Sequence, residues 1–308
     1  MTVSSIADRT RRSAIVSGAV AFASLGGGKP LSGAQRPRAS ARDRFWLWGH
    51  PAGAHDKGWG LPGASLITPV EAAYYMSIPN VVMVRYEGKP DPPFDRYAVP
   101  FRALRQVVWS AVGAGGATDS QERSAVLELA RKARNFTGVQ MDDFFFGKPK
   151  DGKVAALTIP ELRQLRDQLR SGPTKLNLWV TLYTHQLNDP IGEYLKYCDD
   201  VTLWTWKAQD LDRLPANLEK ARAIAPDSRL VLGCYMWDYG THKPMPVAAM
   251  QHQAELGLKW LEAGRIDGII FLASCICDLG LEAVEWTREW IRKTGGRPVP
   301  ALRETPRT

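Results

Sequence analysis

A chain of 308 residues, 44% hydrophobic and 23% charged, has an ordinary globular composition and is long enough for one large domain or two small ones. Its formal charge of +8 is concentrated at the start, where six Lys/Arg against one Asp in residues 1–41 account for five of those charges and leave +3 for the rest. That remainder is too small for a nucleic-acid footprint, so no nucleic-acid partner is expected.

Residues 1–41 read as an export signal and linker. "RTRRS" supplies a cationic patch, "AIVSGAVAFASL" (14–25) a short apolar core, and "GGGKPLSGAQ" a small-residue exit. That core is too short to span a bilayer, so no stable membrane anchor is expected. The pair Arg11-Arg12 ahead of a mild Gly/Ala-rich core resembles a twin-arginine signal, which implies a bacterial protein exported to the periplasm or beyond. Cleavage after Ala34 or after Ala41 fits the small-residue rule equally well.

From residue 44 onward, short runs rich in Val, Ile, Trp and Tyr alternate with amphipathic stretches of helical period. The predicted strands are 44–49, 80–86, 106–112, 138–144, 176–183, 200–206, 229–237 and 267–274. Helices are predicted from Thr68 and from Thr158, each a threonine followed by a first-turn proline and a third-position glutamate, which is the capping-box pattern. Further helices fit 119–134, 190–198, 210–224, 247–263 and 279–293, while the Pro-rich stretch 90–105 reads as irregular. Residues 295–308 read as a disordered tail.

Eight such units over 42–294 suit a single closed (β/α)8 barrel of the TIM type. A doubly wound open sheet is the rival, but "GHPAGAHDKGWG" after the first strand lacks the G-x-G-x-x-G spacing of a phosphate turn. Four cysteines, Cys198, Cys234, Cys275 and Cys277, are too few for a disulfide framework and offer no CxxC pair, so buried thiols are expected.

A barrel of this kind gathers its active site from the loops after the strand ends. That pools His50 and Asp56 after the first strand, Arg85 and Glu87 at the second, Asp142 and Asp143 at the fourth, and Tyr183 and His185 at the fifth. Trp204, Trp206 and Lys207 follow from the sixth strand, Tyr235, Trp237 and Asp238 from the seventh, and Ser274 and Asp278 from the eighth. Adjacent aspartates are the informative feature. Successive strand side chains face opposite ways, so Asp142 and Asp143 can share the mouth only if the strand ends or bulges there. One of them could instead pair with Arg85 and the other cap a loop amide.

Aromatic platforms beside carboxylates suit a sugar site, because pyranose faces stack on rings while acids handle hydroxyls and the glycosidic oxygen. The catalytic candidates are Asp142, Asp143, Asp238 and Glu87. His50, Arg85, Tyr183, His185, Trp204, Trp206, Tyr235 and Trp237 are the candidate substrate contacts. A carbohydrate substrate is expected, with no cofactor and no resident metal. A non-catalytic carbohydrate-binding barrel, and a metal-dependent hydrolase built on His50, His55 and His185, are the alternatives; oligomeric state stays open.

At "VQMDDFF" the chain resembles barrel glycoside hydrolases with consecutive aspartates at the end of the fourth strand, the O-GlcNAcase and bacterial hyaluronidase-like family. The resemblance implies that Asp142 orients the substrate's acetamido group, which acts as nucleophile, and that Asp143 is the general acid/base.

Overall fold

The computed structural model describes residues 39–150, 153–172 and 175–303. The expected leader lies outside the described residues up to residue 38, and among the described residues no helix is long and apolar enough to cross a membrane.

All eight predicted strands form: β1 Phe45–Gly49, β2 Asn80–Met83, β3 Gln106–Val112, β4 Phe136–Met141, β5 Asn177–Tyr183, β6 Asp200–Trp204, β7 Arg229–Tyr235 and β8 Gly268–Leu272. They pair in parallel in sequence order, and β8 closes on β1, giving a (β/α)8 barrel. Strands buried on both faces need continuous apolar runs rather than alternation, which is what Val, Ile and Trp supply here.

The helices are α1 Pro69–Met76, α2 Ser120–Lys132, α3 Ile159–Arg170, α4 Gly192–Leu195, α5 Leu214–Ile224, α6 Val247–Glu262 and α7 Glu282–Thr294. Both predicted capping boxes are present, with the Thr68 amide donating to Glu71 Oε2 at 2.9 Å and the Thr158 amide to Glu161 Oε2 at 2.8 Å. The helix predicted over 190–198 shrinks to the single turn of α4.

No α-helix covers β3 from the 90–105 side. Its place is taken by Phe94, Tyr97 and Phe101, whose rings pack on Trp109 at centroid distances of 5.4, 6.2 and 5.2 Å. Three aromatic side chains bury the outer face of a strand as a helix stripe would, which is why a Pro-rich segment can replace one.

Inside the barrel, tryptophans stack in two layers. Trp46 packs on Trp179 at 5.0 Å toward the bottom, and Trp48 on Trp204 at 5.2 Å toward the top. Trp46 and Trp48 share a face because strand side chains repeat every two residues. Gly233 makes the upper layer possible, since a Cβ there would collide with the Trp204 ring. The tryptophan layers form a packed floor between a hollow at the upper end and a second one at the N-terminal ends of the strands, lined by Trp46, Gln106, Asn177, Trp179, Asp200 and Arg229.

Two expectations are corrected. Residues 295–303 are not a free tail: Pro298–Val299 pair antiparallel with Ala39–Ser40, and Arg303 donates to Asp267 Oδ2 at 2.7 Å and to the Ser228 carbonyl at 3.1 Å. An ion pair and a two-residue bridge leave no periodic signature, so nothing in the composition announced them. For the same reason the folded body begins before residue 42, at Ala39, with Ala41 fully buried. Residues 304–308 lie outside the described residues.

All four cysteines are buried and free. Cys275 sits in a short turn after β8, Ser274–Ile276, with Cys277 directly after it.

Candidate active site

A cavity opens at the C-terminal end of the barrel, with about 500 Å³ of empty space including its mouth. Its walls come from all eight strand-loop units, the third contributing Ala114 in the turn after β3. From β1 and its loop come Trp48, His50, His55 and Trp59, and from the end of β2 Tyr86. Asp142 and Asp143 follow β4, Thr181 and Tyr183 lie on β5, and Trp204 and Trp206 end β6. Tyr235 ends β7, Tyr239 follows it, and Leu272 ends β8.

The aspartate pair occupies the mouth for the geometric reason its sequence required. The ladder between β3 and β4 slips between Ser110 and Val112, so that Val112 faces Met141 and β4 stops there. The Asp142 amide donates to the Val112 carbonyl at 2.9 Å, and Asp143 turns into the left-handed region with φ of 43°. Both carboxyls then line one cavity instead of facing opposite sides of a sheet.

Their environments differ. Asp143 Oδ1 accepts from the Tyr183 hydroxyl at 2.6 Å and Oδ2 from the Gly115 amide at 2.8 Å, two donors suited to a carboxylate. Gly115 and Gly116 have φ of 72° and 70°, and a Cβ on Gly116 would sit 2.9 Å from the Asp143 carbonyl oxygen, so the turn can approach only as glycine. Asp142 is 5% exposed and its Oδ1 accepts from Thr181 Oγ1 at 3.1 Å, which in turn accepts from Gln140 Nε2 at 3.0 Å. Burial, and after it the charge of Asp143, push the Asp142 carboxyl well above the usual carboxylate range. Burial also raises the Tyr183 and Tyr235 hydroxyls, so both remain neutral donors beside the pair.

The two cavity histidines are neutral. His50 Nδ1 faces the Val84 carbonyl at 2.9 Å, Nε2 receives the Trp48 indole N–H at 3.0 Å, and burial lowers its pKa to about 4. The Val84 partner fixes the proton on Nδ1, and both nitrogens are then engaged. His55 Nδ1 lies 2.8 Å from the Tyr239 hydroxyl, and burial followed by the neighbouring His50 lowers its pKa well below the ordinary value. A metal centre built on His50, His55 and His185 is therefore not assembled: His50 has no free nitrogen, and His185 stacks on the Tyr183 ring at 5.4 Å without lining the cavity. Among the described residues no group of three or more His, Cys, Asp and Glu is placed to hold a metal ion.

Of the predicted site residues, Asp142, Asp143, His50, Tyr183, Trp204, Trp206 and Tyr235 converge on the cavity. Arg85 does not. Its guanidinium is 2.5 Å from Glu122 and donates to the carbonyls of Pro90 at 2.9 Å and Gly88 at 2.5 Å, anchoring the β2 loop to α2. The pairing of Arg85 with an aspartate of β4 is thereby replaced by one with a helix. Glu87 is exposed at the tip of the Tyr86–Lys89 turn with φ of 48°. Asp238 is buried and accepts from the amides of Ala208 at 3.3 Å and Thr241 at 3.2 Å, holding a small hairpin. Trp237 is 2% exposed, with its indole N–H on the Trp59 carbonyl at 3.0 Å. It supports the wall and is no stacking platform. Asp56 and Asp278 organise the long first loop through Ser65, Leu66 and Ile67, and Ser274 ties the His50 backbone to β8.

The cavity also holds residues that the sequence reading passed over: Trp48, Trp59, Tyr86, Thr181 and Tyr239. Thr181 was findable, because it lies two residues before Tyr183 on one strand and so shares its face. Trp59 carried only the signal of an aromatic in an unusually long loop.

Structures of very different sequence share the fold. SleL, a spore cortex-lytic enzyme of Bacillus megaterium QM B1551, superposes with a TM-score of 0.53 at 11% identity, over 88% of this chain and 77% of that one. A Bacteroides thetaiotaomicron VPI-5482 protein provisionally assigned as an alpha-L-fucosidase gives 0.51 at 11% identity, over 84% and 97%. Active domain 2 of a thermostable chitinase from Pyrococcus furiosus, determined with chito-oligosaccharides, gives 0.50 at 13% identity, over 86% and 93%. At these identities the likeness establishes the barrel. No protein family matches the chain by sequence, and no curated protein matches it.

Proposed function

We propose that this barrel is a glycoside hydrolase whose two acting groups are the adjacent carboxyls of Asp142 and Asp143. The observation that carries the reading is their convergence, by a strand end and a left-handed residue, on one cavity walled by tryptophan and tyrosine rings. Barrels of the same fold described as a chitinase and a spore cortex-lytic enzyme support the class.

Two carboxyls kept in different protonation states are what glycosidic cleavage needs, one to protonate the departing oxygen and one to stabilise positive charge at the sugar carbon. The resemblance at "VQMDDFF" implies Asp143 as acid and Asp142 as orienter. The environments favour the reverse order. Burial raises the Asp142 carboxyl and so favours its protonated form, which suits the general acid, while Asp143, fixed by Tyr183 and Gly115, suits the stabilising carboxylate. Thr181 and Gln140 behind Asp142 hold its orientation.

A general acid matters only as far as the leaving group needs its proton. Asp142→Asn should therefore nearly abolish cleavage of alkyl or natural glycosides yet retain more activity on activated aryl glycosides, whereas Asp143→Asn should impair both. Kinetics with two leaving groups for each variant test this. The opposite pattern restores the order that the resemblance implies. Absence of cleavage across a panel of aryl glycosides by the unmodified protein would leave a carbohydrate-binding barrel and defeat the hydrolase reading.

A further inference from the structure

The cavity has a charge character that its likeness to sugar sites does not by itself require. Four tryptophans and four tyrosines present rings or hydroxyls to it, two carboxyls sit together on one side, and among the described residues no lysine or arginine lines it. Both histidines in it are neutral, and their hydrogen bonds run to Val84, Trp48 and Tyr239. Two cations adjoin lining residues in sequence: Arg85 is committed to Glu122 and two carbonyls outside the cavity, and Lys207, next to Trp206, is exposed and is not among the residues that line it. The described lining thus offers π faces and carboxylate oxygen and no positive group to an anion, the nearest exposed cation in sequence to its acidic and aromatic wall being Lys207 beside Trp206.

That combination selects ligands by charge. An aromatic face carries negative potential and attracts an ammonium group, most strongly where water is excluded. A carboxylate held at the wall of the same cavity adds a direct ion pair. Uronic acids, sialic acids and sulfated or phosphorylated sugars would bring an anion against an anion with no counter-charge, a repulsion that low local dielectric strengthens. An acetamido sugar or a plain hydroxyl sugar would meet neither penalty nor gain.

Resting on the hydrolase reading above, we propose that the substrate is an amino sugar with a free, protonated amine, and that Asp143 together with the Trp59, Trp206 and Tyr86 faces of the cavity receives its ammonium group. Asp143 is the more open of the two acids, and its carboxylate is already oriented by Tyr183 and Gly115, so it can accept a third donor without reorganising. Asp142 is left free to act on the glycosidic oxygen. The amine stays bonded to its sugar throughout, and cleavage consumes one water and releases a hexosamine with a free reducing end.

The test measures binding at pH 6, where the sugar amine is protonated and His50, with its pKa lowered to about 4, remains neutral. D-glucosamine, D-glucose and N-acetyl-D-glucosamine are titrated calorimetrically, and then the three galacto counterparts, so that an unknown epimer does not decide the outcome. The amine should bind at least tenfold more tightly than its hydroxyl and acetamido partners in one of the two series. Asp143→Asn, checked for an unchanged melting transition, should bring that ratio close to one. Equal or tighter binding of an acetamido or hydroxyl sugar overturns the proposal, as does failure of all six to bind. The comparison within the unmodified protein decides the matter even if the variant does not fold. Cleavage of aryl glycosides is followed separately. An amine preference without any cleavage upholds the charge inference while the hydrolase reading falls, and cleavage confined to N-acetylhexosaminides does the opposite.

Discussion

Replacing Asp142 by asparagine should stabilise the folded protein, by an amount that grows with pH. In the unfolded chain the Asp142 carboxyl ionises near its ordinary value of 3.8, whereas in the barrel burial and the Asp143 charge hold its pKa well above that. Between those two values the unfolded state has released a proton that the folded state keeps. The unfolded state then binds fewer protons, so stability falls as pH rises, by about 1.4 kcal/mol per pH unit for one group. The loss begins near pH 4 and ends where the folded-state carboxyl ionises. Asparagine removes this dependence while its amide oxygen still accepts the Thr181 hydroxyl in the place of Oδ1. Urea unfolding of both proteins at several pH values from 4.5 to 8 measures the difference directly, and titrating groups that do not interact with Asp142 cancel in the subtraction, which leaves Asp142 and its neighbour Asp143. The expected result is a difference that is smallest at the acid end and climbs by about 1.4 kcal/mol for each pH unit in the window. Parallel stability curves would refute the claim that Asp142 is held protonated by burial, and with it the assignment of the general acid. A gain in stability alongside a loss of activity is the pattern expected where function maintains an unfavourable group.

The barrel was legible because its signals are long and redundant. Eight apolar runs, each buried on both sides, could not be mistaken for amphipathic surface strands, and the threonine-proline-glutamate starts of α1 and α3 report a local hydrogen-bond pattern that tertiary context did not override. What failed were features made by pairs distant in sequence. The Ala39–Ser40 strand has its partner at Pro298–Val299, and Arg303 meets Asp267, so neither segment carries its structure in its own composition. The cover of β3 is similar: Phe94, Tyr97 and Phe101 act together only once the chain folds back on Trp109.

The site divided along the same line. Residues that end a strand and face inward, such as Tyr183, Trp204 and Tyr235, followed from strand period and barrel geometry. Residues one or two positions beyond a strand end were less predictable, His50 and Trp206 reaching the cavity while others did not, because a turn decides where they point. At the end of β2 the alternation turns Arg85 outward to Glu122 and leaves Tyr86 at the cavity; after β7 the hairpin buries Trp237 and Asp238 and returns Tyr239 to it. In both places the true lining residue is the immediate neighbour of the one expected. The aspartate pair was the exception, since two adjacent charges in an apolar run demanded an interrupted strand wherever they lay, and Met141 is where β4 stops.

The corrected assignments of Trp237 and Arg85 have measurable consequences. Trp237→Ala should cost about 3 to 5 kcal/mol of stability, the usual price of emptying a buried aromatic site, and would weaken sugar binding only as the Trp59 wall loosens. A melting transition within a degree of the parent, with sugar binding lost, would return Trp237 to the ligand surface. For Arg85 the decisive substitution is in its partner. The Arg85 and Glu122 side chains are 11% and 4% exposed, and burial raises the Glu122 carboxyl despite the guanidinium beside it, so desolvation outweighs their attraction. Such a pair adds little net stability as a pair, but removal of one member strands the other. Glu122→Ala should thus cost about 3 kcal/mol, or roughly 6 to 12 °C in melting temperature for a domain of this size. Glu122→Leu combined with Arg85→Met should recover most of that loss, because no charge is then left buried. Sugar affinity, measured by calorimetry well below the melting transition, should change less than threefold in the double variant, whose substitutions leave every cavity-lining side chain in place. A stable double variant that no longer binds sugar would show that Arg85 reaches the ligand, and the cavity would then contain the cation whose absence underlies the preference for an amine.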